Sequence, residues 1–271
     1  MRIGTLLCAT LGLACSEERQ EPAATPSPPP PPSGYEPIEL ESIGSVRGRV
    51  IWEGAVPDPT MLPVELHAAE CGSEREAPVL RLGPRRGVAD VVLWVEGVRA
   101  GRALPQTPAV IRAVDCAFSP HVAAIAVGTD LEVRSDAPIL HNVHAHLARE
   151  TWFSLGLPSA GASHVVRAAE PGIARLVDDA GHTWMHGWVH VFEHPYFAVS
   201  DANGEFRIEG LPPGRYALRA WHEGVNVIGS DSGRPTYSRP IVLSRSLTIS
   251  ADHETGVDFA LSSRIAEDAG D

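Results

Sequence analysis

From residue 45 onward the chain consists of short segments that alternate apolar and polar residues, separated by Gly and Pro, and this pattern constrains its fold most strongly. Alternation with a period of two is typical of β-strands that bury one face. No stretch of ten or more residues keeps a helical period, although 62–70 could hold a short helix. The sequence therefore predicts an all-β protein with more strands than one small sandwich needs: 46–52, 88–95, 110–114, 123–127, 130–134, 143–147, 164–168, 172–176, 187–192, 196–200, 205–209, 214–220, 239–243 and 257–261.

The first 15 residues have the features of a bacterial secretion signal. Arg2 precedes an apolar run at 3–14, which is too short to cross a membrane. The run ends in Gly12-Leu13-Ala14-Cys15, which is similar to a bacterial lipobox, where the Cys becomes the lipidated first residue. We expect a lipid on Cys15 to anchor the protein to a membrane of the bacterial cell envelope, as a periplasmic or outer-membrane lipoprotein. An ordinary cleaved signal is the alternative.

A Pro-rich segment follows the signal. Residues 16–44 are rich in Pro, Glu and Ser and include consecutive prolines at 28–32. Such a segment favours polyproline II and cannot bury enough apolar surface to fold. It predicts a disordered stalk before the folded part, with a tail at 264–271 after it.

The charge pattern excludes several functions. The net charge is −12, and all 22 basic residues are Arg because the sequence contains no Lys. An acidic chain without a run of basic residues lacks the positively charged surface that binds the phosphates of nucleic acid. No Gly-x-Ser-x-Gly elbow and no phosphate-binding loop is present in the sequence. We therefore expect a protein that is not an enzyme and does not bind nucleic acid.

Two cysteines, Cys71 and Cys116, lie in the predicted folded part. In an oxidising compartment two such cysteines most simply form a disulfide. Two buried free thiols are the alternative that the sequence leaves open.

The C-terminal part contains a clear hairpin pattern. A turn at 201–204 is followed by alternating segments at 205–209 and 214–220. The string at 200–224 resembles the carboxypeptidase regulatory-like domain, a transthyretin-type β-sandwich, and 48–57 resembles the first strand of that domain class. The resemblance implies a sandwich at 193–263, to which the segment at 45–109 could belong. The two sandwiches of the chain would then be either nested or in series.

The region at 110–192 resembles a plastocyanin-like cupredoxin. Its successive landmarks are at 118–122, 127–133, 141–144 and 179–185. Bacterial envelope proteins that join such a module to a regulatory-like sandwich form the family that the chain resembles. The resemblance implies a Greek-key sandwich with one copper ion held by two histidines, a cysteine and a weak axial methionine. His141, His182 and Met185 occupy the matching positions, but Asp179 stands where the cysteine belongs.

A carboxylate in place of the thiolate changes the expected metal chemistry. Carboxylate is a hard ligand that favours divalent ions, so the four residues predict a type 2 copper or zinc-like site rather than a blue one. A sandwich that has lost its metal is the alternative. The most consistent function is a copper-binding envelope lipoprotein, and the other candidates are a structural or protein-binding module and an electron-transfer subunit. An envelope redox protein or surface protein would be the partner.

Strand alternation predicts which histidines face the core. His141, Val143 and Ala145 share one face of their segment, so His141 points inward and His144 and His146 point outward. By the same rule Met185 lies on the inward face of the next strand, together with Val189 and Val191. His186 and His190 lie on the opposite face of that strand. The motif at 221–223, Trp-His-Glu, is compatible with a turn packed by Trp and with a second metal contact.

Overall fold

The computed structural model describes residues 34–105 and 107–263, which are mostly β-strands. The helical elements in these ranges are α1 (Ala68–Cys71) and a 3₁₀ turn at Pro84–Arg86. No helix in the described ranges is long and apolar enough to cross a membrane. The all-β prediction is confirmed. Cys15, residues 16–33 of the predicted stalk and the tail at 264–271 lie outside the described residues.

The strands of the described ranges are short, with lengths of 2 to 9 residues. In chain order they are β1 (Glu36–Pro37), β2 (Gly44–Trp52), β3 (Met61–Pro63), β4 (Glu74–Glu76), β5 (Val92–Glu96), β6 (Ala100–Gly101), β7 (Ala109–Val114), β8 (Ala117–Ser119), β9 (Val122–Ala126), β10 (Asp130–Ser135), β11 (His141–Leu147), β12 (Glu150–Leu157), β13 (Ser163–Arg167), β14 (Gly172–Asp178), β15 (His186–Phe192), β16 (Phe197–Val199), β17 (Glu205–Leu211), β18 (Gly214–His222), β19 (Val227–Asp231), β20 (Arg234–Tyr237), β21 (Ile241–Ile249), β22 (Glu254–Gly256) and β23 (Phe259–Leu261).

Strands β7 to β15 form what we name the central sandwich, residues 109–192. One of its sheets has the order β13-β10-β7-β8 and the other the order β12-β11-β14-β15-β9. Inward-facing apolar side chains from both sheets fill its core, and Ile111, Leu131, Val143, Leu176 and Val189 are fully buried there. The alternating segments of the sequence thus bury one face of each sheet against the other.

A second sandwich, named here the flanking sandwich, combines strands from both sides of the central one. Its sheets have the orders β16-β5-β18-β21 and β17-β2-β22, with β23 also pairing with β2. Trp52, Leu93, Tyr196, Leu218 and Phe259 are buried in its core. Because β2 and β5 precede residue 109 while their partners follow residue 192, the central sandwich is inserted into the flanking one.

The segment at 61–79 packs against a different core from the rest of the predicted 45–109 unit. Leu62, Val64 and Ala77, which lie on or near β3 and β4, pack on the core of the central sandwich instead. A disulfide between Cys71 and Cys116, whose Cα atoms are 5.6 Å apart, fastens the segment there. The structure therefore divides the predicted unit between two cores, because the apolar residues of this segment are buried only against the central sandwich.

The end of the predicted stalk also differs from the expectation of disorder at 16–44. Tyr35 is buried in the flanking core, with its ring 6.2 Å from that of Tyr196. The Tyr35 hydroxyl donates a hydrogen bond of 2.7 Å to the carbonyl of Arg102. This buried ring with its paired hydroxyl, together with the pairing of β1 with β6, holds the end of the predicted stalk against the flanking sandwich.

The predicted turn at 201–204 is present between β16 and β17. The Asp201 carboxylate accepts hydrogen bonds from the backbone N–H groups of Asn203 and Glu205, at 2.8 and 2.9 Å. Gly204 has a φ of 77° and lies so close to β2 that a Cβ atom would be 2.3 Å from the Val50 carbonyl. The turn therefore requires glycine at this position.

The two sandwiches meet along the outer faces of β15 and β9 on one side and β5 and β18 on the other. Val92, Val122 and Trp221 are buried between them, and the Trp188 ring lies 5.3 Å from that of Trp221. The structure follows the alternation expected for β15, since Val189 faces the central core while Trp188 and the other outward residues face this junction. His186 and His190, the outward-facing histidines of β15, are thus enclosed by the flanking sandwich.

Candidate metal centre

Three fully buried side chains, His141, Asp178 and His182, form a cluster at one end of the central sandwich. His141 is the first residue of β11, Asp178 is the last residue of β14, and His182 lies in the loop between β14 and β15. One nitrogen of each histidine and one carboxylate oxygen all lie within 4.8 Å of one another.

The local sequence explains why Asp178 belongs to this cluster. In β14 the residues Ala174, Leu176 and Asp178 share the inward face by strand alternation. Asp178 is directly opposite Val143 on the neighbouring strand β11, two residues from His141. The following loop turns at Gly181, which has a φ of 104°. This turn brings His182 back to the same carboxylate.

Both imidazoles face the same carboxylate oxygen. The His141 Nδ1 atom lies 2.5 Å from Asp178 Oδ2, and the His182 Nδ1 atom lies 3.0 Å from it. The other oxygen, Oδ1, accepts hydrogen bonds from the backbone N–H groups of Ala180 at 2.7 Å and Asn142 at 3.3 Å. The backbone thus orients the carboxylate, and one oxygen remains directed at the two ring nitrogens.

The Asp178 side chain is ionised despite its burial. Burial by itself raises the pKa of this carboxyl, but hydrogen bonds from His141, His182 and the backbone of Ala180 outweigh burial and lower the pKa to about 2. At neutral pH the cluster therefore contains a negative charge enclosed by two imidazoles.

His67 forms an outer contact of the cluster. Its Nδ1 atom lies 3.0 Å from His182 Nε2, so the second nitrogen of His182 is also held. His67 immediately precedes α1, which ends at the disulfide-bonded Cys71. Partners of this kind fix the ring orientation of metal-ligating histidines.

The donor set fits a divalent transition-metal ion. Two imidazole nitrogens and a carboxylate oxygen suit copper(II) and zinc, and a site without thiolate lacks the soft ligand of blue copper. The three donors already converge from separate elements, and their fully buried side chains would enclose a bound ion. His141 and His182 are two of the residues that the sequence predicts here.

Asp179, the predicted carboxylate ligand, is directed elsewhere. Its side chain is 37% exposed, accepts a hydrogen bond of 2.7 Å from His144 and forms an ion pair of 2.7 Å with Arg234 of β20. Strand alternation gives the reason, because adjacent residues at the end of β14 face opposite sides of the sheet. The structure therefore places Asp178, and not Asp179, beside His141 and His182.

Met185, the predicted axial ligand, is buried in the central core. Its backbone N–H donates a hydrogen bond of 2.9 Å to the His182 carbonyl. The residue also lines a cavity together with His121 and His186. An axial contact from its sulfur to an ion at the His141 cluster stays a prediction.

Sequence reasoning expected only one of the adjacent carboxylates Asp178 and Asp179 to face inward and chose Asp179, and it did not include His67 in the site. The signal for Asp178 was present, because extending the alternation of 172–176 by one step places Asp178 on the inward face with Leu176. No comparable signal marks His67, which is 115 residues from His182 in the chain and reaches it only through the packing of the 61–79 segment.

Comparison with known proteins gives partial structural similarity only. Neither a protein-family model nor a curated protein matches the chain. Among similar solved structures is the copper-containing nitrite reductase of Thermus scotoductus SA-01, which is 21% identical with a TM-score of 0.30 over 34% of this chain and 24% of the reductase. This chain therefore matches about a quarter of that protein's length.

Two small cupredoxins are similar to about a third of the chain. A purple cupredoxin from Nitrosopumilus maritimus is 20% identical with a TM-score of 0.28, over 31% of this chain and 98% of that protein. Amicyanin from Paracoccus versutus is 14% identical with a TM-score of 0.28, over 32% of this chain and 84% of amicyanin.

Proposed function

We propose that this protein binds one copper(II) ion at His141, Asp178 and His182 in a cupredoxin-like central sandwich, and that it is not an enzyme. The observation that supports this most strongly is the pair of buried imidazoles directed at one ionised, buried carboxylate oxygen. Buried charges in proteins are paired or bind metals, and these donors converge from three separate elements.

Copper(II) is the ion that this donor set favours most. Affinities of nitrogen and oxygen sites for divalent metals rise along the series to copper(II) and fall again at zinc. A copper ion held by two histidines and a carboxylate would form a type 2 site. Without a thiolate, fast electron transfer of the blue-copper kind is not expected, so we rank an electron-transfer subunit third.

We further propose that the protein acts in the bacterial cell envelope, anchored through a lipid on Cys15. In this proposal the flanking sandwich is a carboxypeptidase regulatory-like domain that presents the central sandwich to an envelope redox or surface protein. The disulfide between Cys71 and Cys116 supports an oxidising location.

A structural or protein-binding module is the second candidate. One observation favours it: the Nδ1 atoms of His141 and His182 are already paired with Asp178 by hydrogen bonds. A sandwich that has lost its metal would keep such a cluster as part of its core. The experiment must therefore distinguish copper binding at this cluster from the absence of binding.

The test is a copper titration with optical and electron paramagnetic resonance spectra. We expect wild-type protein to show a weak d–d band and a wide copper hyperfine splitting, because nitrogen and oxygen ligands give a type 2 centre. Bound copper should fall by one equivalent in His141→Ala, while the exposed His164→Ala control keeps the wild-type value. Intense visible absorption would contradict the ligand set, and equal copper binding by all three proteins would favour the structural module.

His67 provides a second test of the same centre. We expect His67→Ala to weaken copper binding by about 10- to 100-fold, because outer contacts that orient a ligating histidine have effects of that size. Competition against a chromophoric chelator measures the affinity, and His164→Ala is again the control. An unchanged affinity in folded His67→Ala protein would show that His67 does not position His182.

A further inference from the structure

A second histidine–carboxylate cluster lies where the two sandwiches meet. His121 belongs to the connection between β8 and β9, and His186 is the first residue of β15, so both come from the central sandwich. Glu223 directly follows β18 and comes from the flanking sandwich. The three residues are 6%, 3% and 3% exposed.

The carboxylate of Glu223 lies between the two imidazoles. His121 Nε2 contacts one of its oxygens, Oε1, and His186 Nε2 lies 2.9 Å from the other, Oε2. The rings of His121 and His186 are 4.9 Å apart and nearly perpendicular. One donor atom from each residue lies within 4.8 Å of the others, a distance within which the donors of the His141 cluster also lie.

Further side chains orient these donors. The indole N–H of Trp188 donates a hydrogen bond of 2.9 Å to Glu223 Oε2. The Tyr237 hydroxyl lies 3.1 Å from Nδ1 of His186, so the nitrogen that faces away from Glu223 is also held. Outer partners on both the histidine and the carboxylate are the arrangement that fixes ligand geometry in metal sites.

The Glu223 side chain is ionised. Burial raises the pKa of the carboxyl, but His121 and His186 outweigh burial and hold the pKa well below its usual range. The junction thus encloses a carboxylate between two imidazoles, as the His141 cluster does.

A cavity gives access to the two histidines. It has a volume of about 230 Å³, and its lining includes His121, His186, Met185 and Trp184. An ion held by His121, His186 and Glu223 would have room for a further ligand, such as water, on the cavity side. Three protein donors with one open position are typical of two-histidine, one-carboxylate metal sites.

We propose that His121, His186 and Glu223 form a second metal site, which binds a divalent first-row transition ion, zinc or copper(II), and joins the flanking sandwich to the central one. The Trp-His-Glu motif at 221–223 thereby supplies one ligand from the flanking sandwich, and Trp221 packs the junction beside it. This site does not depend on metal binding at His141, Asp178 and His182.

The experiment uses the full chain carrying Asp178→Asn, so that the outcome is independent of the first site. We expect this protein to bind one equivalent of Zn²⁺, and one of Co²⁺ with visible d–d bands. Adding Glu223→Gln should weaken binding by more than about a hundredfold, since a ligand rather than an outer contact is removed. Glu53→Gln, an exposed change in the flanking sandwich, is the matched control and should leave binding unchanged.

Three results of the binding measurements would overturn the proposal. They are the absence of Zn²⁺ and Co²⁺ binding by the Asp178→Asn protein, retention of full affinity after Glu223→Gln, and an equal loss with Glu53→Gln. Zinc X-ray absorption of the Asp178→Asn protein needs no change at Glu223 and should show two imidazoles with oxygen ligands. A zinc environment without imidazole would also contradict the site, and would leave the cluster as a buried ion pair between the sandwiches.

Discussion

Copper-loaded Asp178→Cys protein is expected to be blue. The side chain at 178 lies beside both His141 and His182, so a thiolate at this position would complete the two-histidine, one-cysteine set of a blue-copper centre. A copper–thiolate bond gives intense visible absorption that nitrogen and oxygen ligands cannot produce. The optical spectrum should therefore change from a weak band to an intense one, and the copper hyperfine splitting should become narrow.

Asp179→Cys is the matched control for this experiment. The Asp179 carboxylate faces His144 and Arg234 and is partly exposed, so a thiol there should leave the copper spectrum as in wild type. Blue colour in Asp179→Cys but not in Asp178→Cys would show that the loop adopts the arrangement that the sequence resemblance implies. Blue colour in neither protein, with both folded and loaded, would mean that copper does not occupy the His141 cluster.

Removal of the disulfide should have the largest effect on stability. The Cys71–Cys116 bond closes a loop with a sequence separation of 45 residues. In the chain-entropy description such a bond stabilises the fold by about 3 to 4 kcal/mol. We expect the Cys71→Ala/Cys116→Ala protein to lose about this free energy of unfolding, measured by urea denaturation of metal-free protein.

Wild-type protein reduced with dithiothreitol is the control, because it lacks the bond but keeps both side chains. It should lose a similar free energy, and both samples should bind copper more weakly, since His67 is held near His182 by the same segment. A loss below about 1 kcal/mol in both samples would contradict the entropic role of the disulfide. Free thiols at both positions in protein isolated from cells would show that the bond does not form.

Alternation in the sequence predicted the class of fold and the inward direction of His141. It also predicted that His186 faces away from the central core, because the apolar partners of each strand occupy every second position. What it did not predict was the surface that covers His186. That surface comes from β18 of the flanking sandwich, and no local pattern connects His186 with Glu223 across 37 residues of chain.

The resemblance to a cupredoxin and the alternation of inward-facing residues in β14 predict different carboxylate ligands. The spacing of a cupredoxin motif favoured Asp179, whereas the inward face of β14 ends at Asp178. Burial decides which carboxylate faces inward. The face of β14 that carries Ala174 and Leu176 packs on the central core, and Asp178 lies on that same face. The sequence left the nested order open, because it does not show which distant strands pair. The pairings of β2 with β17 and of β5 with β18 show that strands from both sides of the central sandwich share a sheet.

Copper binding by Asp178→Asn compared with Asp179→Asn tests the proposed centre most directly. Both changes remove one negative charge at almost the same place, but only Asp178 faces His141 and His182. We predict that bound copper, measured against a chromophoric chelator, falls by one equivalent in Asp178→Asn and stays at the wild-type value in Asp179→Asn. A loss of one equivalent in Asp179→Asn with none in Asp178→Asn would contradict the assignment, and wild-type binding by both would exclude copper from the cluster.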